Sequence, residues 1–82
     1  MPRVIFTDQF RKDLQRFRHL SVQIEKQLDL FLQDHKHPSL HTKKLKPAHY
    51  AKYSFRVNKQ FRIIFTFQEE TPVLLYISKH YE

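Results

Sequence analysis

Cysteine, glycine and tryptophan are all absent from this sequence of 82 residues. Without cysteine, neither a disulfide framework nor a thiolate metal site can stabilise so small a fold, and the reducing cytoplasm is the expected location. No apolar run approaches the length needed to span a bilayer, and residues 1–6 lack the charged-then-apolar pattern of a secretory signal. We therefore predict a single domain over residues 1–82 that has no contact with a membrane.

Acidic residues are also missing from one long part of the chain. There is no Asp or Glu between His35 and Gln68, although the whole chain has eight acids and a net charge of +7. This segregation predicts a polyanionic partner, most simply a nucleic acid. A basic bias that only aids solubility is the alternative. The basic residues of this stretch are Lys36, Lys43, Lys44, Lys46, Lys52, Arg56, Lys59 and Arg62.

The first half of the chain carries two helical patterns. A short β-type run over residues 3–6 comes first, and Thr7 or Asp8 can cap the helix that follows it. Ser21 is a candidate cap for a second helix, which we expect to end at Asp34. The short connection over residues 18–20 predicts an antiparallel hairpin with both apolar stripes on one surface. The stripes are Phe10, Leu14 and Phe17 in the first helix, and Ile24, Leu28, Phe31 and Leu32 in the second.

The second half changes to the period of two that is typical of strands. Runs over residues 53–57 and 61–67 flank a turn in which Asn58 is expected to take a positive φ, because no glycine is available. A last strand is predicted over residues 73–78. Before these strands, Leu40 and Leu45 are expected to anchor an ordered loop in the core. The order is β-α-α-β-β-β, an α+β fold with the helical hairpin packed on one face of a small, mainly antiparallel twisted sheet.

The other face of this sheet is where basic side chains are expected to gather. Because side chains alternate across a strand, Arg56 and Arg62 point away from the helices if the neighbouring Phe residues point towards them. The end of the last strand adds His80 and Tyr81 to this face. The loop before the sheet brings His41, Lys43, Lys44 and Lys46 to its rim, and Lys52 and Lys59 complete the set of candidate RNA-binding lysines.

These residue types suit the cleavage of RNA without a metal. Attack by the 2′-hydroxyl needs a group that takes its proton, cationic donors for the phosphorane charge, and an acid for the leaving oxygen. Histidine and arginine can fill these roles without a cofactor, and an arginine fork can bind two phosphate oxygens at once. Tyr81 can stack on a displaced base. Alternatively, each of these residues is an ordinary solvated side chain.

Two other uses of prominent residues are not favoured. His35 and His37 form an HxH pair, but the chain has no cysteine, and no carboxylate occurs between residues 35 and 68, so we expect neither a metal site nor another cofactor. The strand phenylalanines are expected in the core rather than on a base-stacking surface, because their period matches burial.

Three segments of the sequence resemble the RelE/ParE superfamily of bacterial toxins. They are HPSLHTKKL, YSFRVNKQFRIIF and the closing ISKHY, and the resemblance extends over essentially the whole chain. The likeness is greatest to the branch of RelE, YoeB and YafQ. It implies a RelE-like fold, cleavage of messenger RNA on the ribosome, and a cognate antitoxin protein that holds the toxin inactive.

The resemblance also implies roles for single residues. Arg62 matches the family's catalytic arginine that follows an aromatic residue, and Arg56 matches a basic strand position used for phosphate contact. His80 and Tyr81 match the terminal His-Tyr of the YoeB type, in which the histidine acts as general acid.

The general base is the point at which this sequence departs from the family pattern. YoeB-like relatives carry a glutamate, whereas residues 38–41 contain no carboxylate. His41 is the candidate replacement, because YafQ-like proteins also use a loop histidine. The missing glutamate leaves open a catalytically weak module that binds only its antitoxin or RNA. The resemblance leaves a second alternative, a ParE-like toxin that shares the fold and poisons DNA gyrase.

Overall fold

The structure is a computed structural model that describes residues 3–45 and 51–79. Across these two ranges the chain forms β1 (Ile5–Phe6), α1 (Asp8–Arg16), α2 (Ser21–Gln33), β2 (Lys43–Lys44), β3 (Tyr53–Arg56), β4 (Phe61–Gln68) and β5 (Thr71–Lys79). Short 3-10 helices cover Arg18–Leu20 and Pro38–Leu40. The predicted α+β architecture is confirmed, and β2 is a strand that the sequence analysis had placed in a loop. No helix in the described ranges is long and apolar enough to cross a membrane.

The described strands form one sheet in the order β1-β5-β4-β3-β2. β1 is parallel to β5, and the other neighbours are antiparallel, so the sheet is mainly antiparallel as predicted. The pairing of β4 with β5 shifts at one point: Ile64 pairs with Tyr76, but Phe65 pairs with Leu74. Leu75 is therefore an extra residue in β5, which makes a β-bulge.

The core lies between the helices and one face of the sheet. Phe31 of α2 occupies its centre, where its ring stacks on Phe55 with 4.4 Å between centroids and meets Phe65 edge-on at 4.9 Å. Leu40 is fully buried beside them, which confirms it as a core anchor. The predicted burial of the strand phenylalanines is confirmed for Phe55, Phe61 and Phe65.

Two predictions about caps and turns were wrong. Ser21 does not cap α2, because the preceding 3-10 helix runs directly into it and Ser21 already has helical angles of φ −56° and ψ −39°. Asn58 is not among the residues with positive φ. Its side-chain oxygen instead accepts hydrogen bonds from the amides of Gln60 and Phe61, at 2.8 and 2.9 Å, and so closes the β3–β4 turn. Thr7, in contrast, is confirmed as the cap of α1.

α1 contains a buried carboxylate that its amphipathic pattern did not reveal. Asp13 is only 4% exposed, and it accepts hydrogen bonds from the Ile77 amide and from the Gln9 side chain, both at 2.9 Å. β1 pairs with β5 only at Val73 and Leu74, so Ile77 lies past the end of that ladder. Asp13 thus provides the acceptor that a longer β1 would have provided.

We expect Asp13→Ala to lower the free energy of unfolding by about 2 kcal/mol, because the buried Ile77 amide loses its acceptor. Asp13→Asn keeps one carbonyl oxygen in place and is expected to cost less. Urea denaturation of both variants measures the difference, with Asp29→Ala as a control at an exposed carboxylate on α2. Equal stability of Asp13→Ala and the parent would show that this bond contributes nothing.

Candidate functional site

The face of the sheet opposite the helices, here called the open face, includes two neighbouring rows of side chains. Residues directly opposite each other in paired strands project to the same face. The first row is Arg56, Arg62 and Ser78, and the second is Lys43, Ser54, Ile64 and Tyr76.

The first row places two arginines directly opposite each other. Arg56 of β3 and Arg62 of β4 are register partners, as the strand alternation predicted. Like charges in this position destabilise a sheet, and the sequence supplies no Asp or Glu between His35 and Gln68 to offset them. Two arginines at register-paired positions are well suited to an anion that accepts hydrogen bonds from both side chains.

The guanidinium of Arg62 is held in a defined direction by uncharged acceptors. Its Nε donates to Ser54 Oγ at 2.8 Å, and one terminal nitrogen donates to the Ser54 carbonyl at 3.3 Å and to the His41 carbonyl. Ser54 is only 1% exposed, so its hydroxyl is a fixed part of the sheet. These bonds orient the guanidinium group, and a donor that is oriented before its ligand arrives is what a pre-organised phosphate site needs.

His41, whose carbonyl accepts the bond from Arg62, has an unusual backbone conformation. His41 has φ 47° and ψ 49°, the left-handed conformation that glycine favours and that costs other residues roughly 1 kcal/mol. Ala51 also has a positive φ, of 51°, and its carbonyl accepts a 2.7 Å bond from Thr66. Side chains of β4 thus bind the carbonyls of two of the three described residues with a positive φ.

A buried glutamine joins the loop to the sheet. Gln27 of α2 is 7% exposed, and its Nε2 donates to the Ser39 carbonyl at 3.2 Å and to the Arg56 carbonyl at 2.7 Å. One side chain therefore links α2, the 3-10 helix before His41, and β3. Gln27 is not identifiable from the sequence, because a polar residue next to an apolar stripe gives no sign of partners that are distant in the sequence.

The structure divides the predicted lysines between the two faces. Lys43 lies opposite Ser54 on the open face, and Lys52 joins it, with Nζ 5.9 Å from the centroid of the Tyr76 ring. Lys44 lies on the helix-bearing face, where its Nζ is 5.9 Å from the centroid of the Tyr53 ring. Lys59 is exposed in the connection between β3 and β4. Lys44 therefore does not join the open face, because β2 is a strand and its side chains alternate.

Leu45 also differs from its predicted place in the core. It is half-buried and lines a cavity on the open face together with Arg62 and Tyr76. The same alternation that turns Lys44 towards the helices turns the next residue away from them.

Three predicted site residues, Lys46, His80 and Tyr81, lie outside the described residues, and their roles stay predictions. The His41 side chain is exposed, and its backbone carbonyl is the group that contacts Arg62. His37 uses Nδ1 to accept a hydrogen bond from the Ser39 amide at 3.1 Å. Over residues 3–45 and 51–79, no group of three His, Asp or Glu side chains is placed to hold a metal ion.

A family model described as the RelE-like toxin of the type II toxin-antitoxin system HigB matches residues 5–80. The chain belongs to this family of HigB-like toxins. The match confirms the superfamily predicted from the three sequence segments. No curated protein matches the sequence.

Solved structures of other toxins share the fold of this HigB-like toxin. The YoeB dimer from Staphylococcus aureus has a TM-score of 0.70 and 21% identity, and the match covers 98% of each chain. A RelB-RelE antitoxin-toxin complex from Methanococcus jannaschii has a TM-score of 0.75 and 22% identity, covering 93% of this chain and 89% of that one. The E. coli DinJ-YafQ complex has a TM-score of 0.72 and 16% identity, covering 98% and 94%.

Proposed function

We propose that this HigB-like toxin is a metal-independent endoribonuclease that cleaves messenger RNA on the ribosome in the cytoplasm. The observation that carries the proposal is the pair of Arg56 and Arg62, directly opposed on the open face in a part of the sequence without carboxylates. Two arginines that project from register-paired positions on one face are suited to the negative charge of a pentavalent phosphorane.

The reaction is an attack of the RNA on itself. The 2′-oxygen forms a bond to the adjacent phosphorus, the bond from phosphorus to the 5′-oxygen breaks, and the products are a 2′,3′-cyclic phosphate and a 5′-hydroxyl. His41 takes the proton of the 2′-hydroxyl, and His80 gives a proton to the leaving 5′-oxygen. The bond between Arg62 and the His41 carbonyl supports this assignment, because it places the backbone of His41 beside the guanidinium that is proposed to bind the phosphate.

The remaining residues bind and position the RNA. Tyr81 stacks on a base next to the cut, and a set of lysines contacts the backbone as point charges. Lys44 is left out of this set because its side chain lies on the other face. The proposed set is Lys43, Lys46, Lys52 and Lys59.

The proposed partner that restrains the toxin is a cognate antitoxin protein. Two of the structural neighbours described above were solved as complexes, RelB-RelE and DinJ-YafQ. A toxin with the same fold is expected to be encoded beside a small antitoxin gene, and co-expression of that neighbour is expected to relieve growth arrest.

A direct test is to add the purified toxin to a translation extract and to map the 5′ ends of the transcripts. New 5′-hydroxyl ends within translated regions, absent when ribosomes are omitted, are the expected result. DNA cleavage that depends on gyrase, with intact transcripts, would select the ParE-like function instead. Binding of RNA or antitoxin without either cleavage would leave only the non-catalytic module.

Ser54 is expected to act through Arg62. Ser54→Ala removes the acceptor of the Nε–H bond, while the bonds to the Ser54 and His41 carbonyls stay, so the guanidinium is less precisely aligned. We expect cleavage to slow by about tenfold, since small losses of alignment are costly. Thr66→Ala is the matched control, because Thr66 also carries a hydroxyl on the open face but bonds to the Ala51 carbonyl. Single-turnover rates compare the two. Equal rates for both variants would mean that Ser54 does not position Arg62.

A further inference from the structure

A small cavity lies between the two rows of the open face. It has a volume of ≈ 240 Å³ and is lined by Lys43, Leu45, Ser54, Arg62, Ile64, Tyr76 and Ser78. Pockets for drug-sized ligands and cofactors measure about 300–1,000 Å³. This cavity is therefore of a size for a single flat ring system, and it lies directly against the guanidinium proposed to bind phosphate.

The lining is more apolar than phosphate binding requires. Leu45, Ile64 and Tyr76 all face the cavity, although they lie on the side of the sheet that is turned away from the core. A surface that held only phosphates would need cations and donors there. Apolar walls and an aromatic ring beside a cationic group are what a nucleotide requires, since its base stacks and its phosphate is charged.

The β-bulge at Leu75 is what builds one wall of this cavity. Leu74 and Ile77 are both buried in the core, although they are three residues apart and strict alternation would place them on opposite faces. The extra residue between them resets the alternation, so that Tyr76 and Ser78 reach the open face beside Ile64 and Arg62. Bulges are common where a strand must re-aim a side chain next to a functional site.

The charges around Tyr76 fit the same ligand. Lys52 Nζ lies 5.9 Å from the centroid of the Tyr76 ring, and Lys43 lines the cavity from the neighbouring strand β2. Tyr76 is half-buried, so part of its ring stays accessible. The residues that line the cavity include cations, hydroxyl groups and apolar side chains. The cations and hydroxyls suit a phosphate, and the apolar side chains suit the base joined to it.

We propose that this cavity binds the base of one RNA nucleotide, with Tyr76 as its stacking surface, while the phosphate of that nucleotide lies on Arg62. The proposal rests on the proposed function and deepens it, because it turns a general RNA-binding face into a site that requires a base at one position. It assigns binding roles to Leu45, Ile64 and Tyr76, and it makes Tyr76 the residue through which the identity of a base can influence cleavage.

The test uses a short RNA in which each nucleotide in turn has lost its base, with a 2′-deoxy sugar at the cut site to prevent cleavage. Binding to the full-length toxin is measured by fluorescence anisotropy in low salt, because phosphate contacts weaken as salt rises. At one position, loss of the base is expected to weaken binding by about tenfold, within the range for a single stacked base. In Tyr76→Ala that position is expected to lose its effect, and in Tyr76→Phe to keep it.

Two lysines provide a matched control for charge. Lys52 and Lys44 each lie 5.9 Å from a tyrosine centroid, but on opposite faces. Lys52→Ala is expected to weaken RNA binding and to reduce its salt dependence by about one unit of slope, whereas Lys44→Ala is expected to change neither. Circular dichroism melting shows whether each variant is folded, and Tyr76→Leu replaces Tyr76→Ala if the alanine variant unfolds.

The outcomes separate the two proposals. If transcripts are cleaved but every abasic RNA binds as the intact RNA does, the cavity does not bind a base and only this inference fails. The same conclusion follows if the sensitive position is unchanged in Tyr76→Ala. If the toxin neither cleaves transcripts nor binds the RNA, the proposed function fails and this inference fails with it.

Discussion

Arg62→Ala is expected to lower the rate of transcript cleavage by about 100-fold or more, and to abolish growth arrest when the variant is expressed. Removal of one pre-organised donor from a site of developing negative charge typically has an effect of that size. Arg62 is also the residue whose direction Ser54 and the His41 carbonyl fix, so its loss removes both a charge and the geometry of the site. Single-turnover cleavage of a messenger RNA in a ribosome-containing extract measures the effect.

One further substitution separates the charge of Arg62 from the geometry of its guanidinium group, and a second is a control at another arginine. Arg62→Lys keeps the positive charge but loses the planar fork, and we expect it to recover only part of the lost rate. Arg18→Ala removes an exposed arginine of the helical connection and is expected to leave the rate unchanged. A folded Arg62→Ala variant that cleaves as fast as the parent would exclude the proposed phosphate site.

The parts of the fold that were predictable follow from periodicity. The helical stripes and the alternation in β3 and β4 each bury a continuous apolar surface, so the pattern determines which side chains face the core. The prediction that Arg56 and Arg62 share a face followed from this alternation alone, and their register confirms it.

β2 was not predictable in the same way. A strand of two exposed lysines at the edge of a sheet has no apolar alternation, and its pairing with β3 depends on where the preceding loop delivers it. Unless β2 is known to be a strand, the sequence does not show that the side chains of Lys43 and Lys44 point to opposite faces of the sheet. For this reason the sequence pattern predicts both lysines at the rim of the open face.

The bulge and the buried polar groups were missed because their partners are remote in the sequence. Asp13 accepts a hydrogen bond from Ile77, and Gln27 donates one to the Arg56 carbonyl, contacts that only the folded chain brings together. The run of apolar residues over 73–77 does not show where an extra residue enters β5. A sequence without glycine is equally silent on which residues take a positive φ, and here they are His41, Ala51 and Glu69 rather than Asn58.

His80→Ala is expected to slow cleavage by about 100-fold or more, because the 5′-oxygen then leaves without a proton donor. This prediction comes from the sequence, since His80 lies outside the described residues. A messenger RNA with sulfur in place of the bridging 5′-oxygen at the cut site provides a specific test. A thiolate is a far more stable anion than an alkoxide and leaves without protonation.

The two histidines should therefore respond differently to the sulfur substrate. His80→Ala is expected to cleave it nearly as fast as the parent toxin does. His41→Ala is expected to stay slow, because the 2′-hydroxyl must still lose its proton whichever atom leaves. If the sulfur substrate restores neither variant, His80 is not the general acid. If it restores His41→Ala alone, the two roles are reversed, and the His41 side chain is the proton donor.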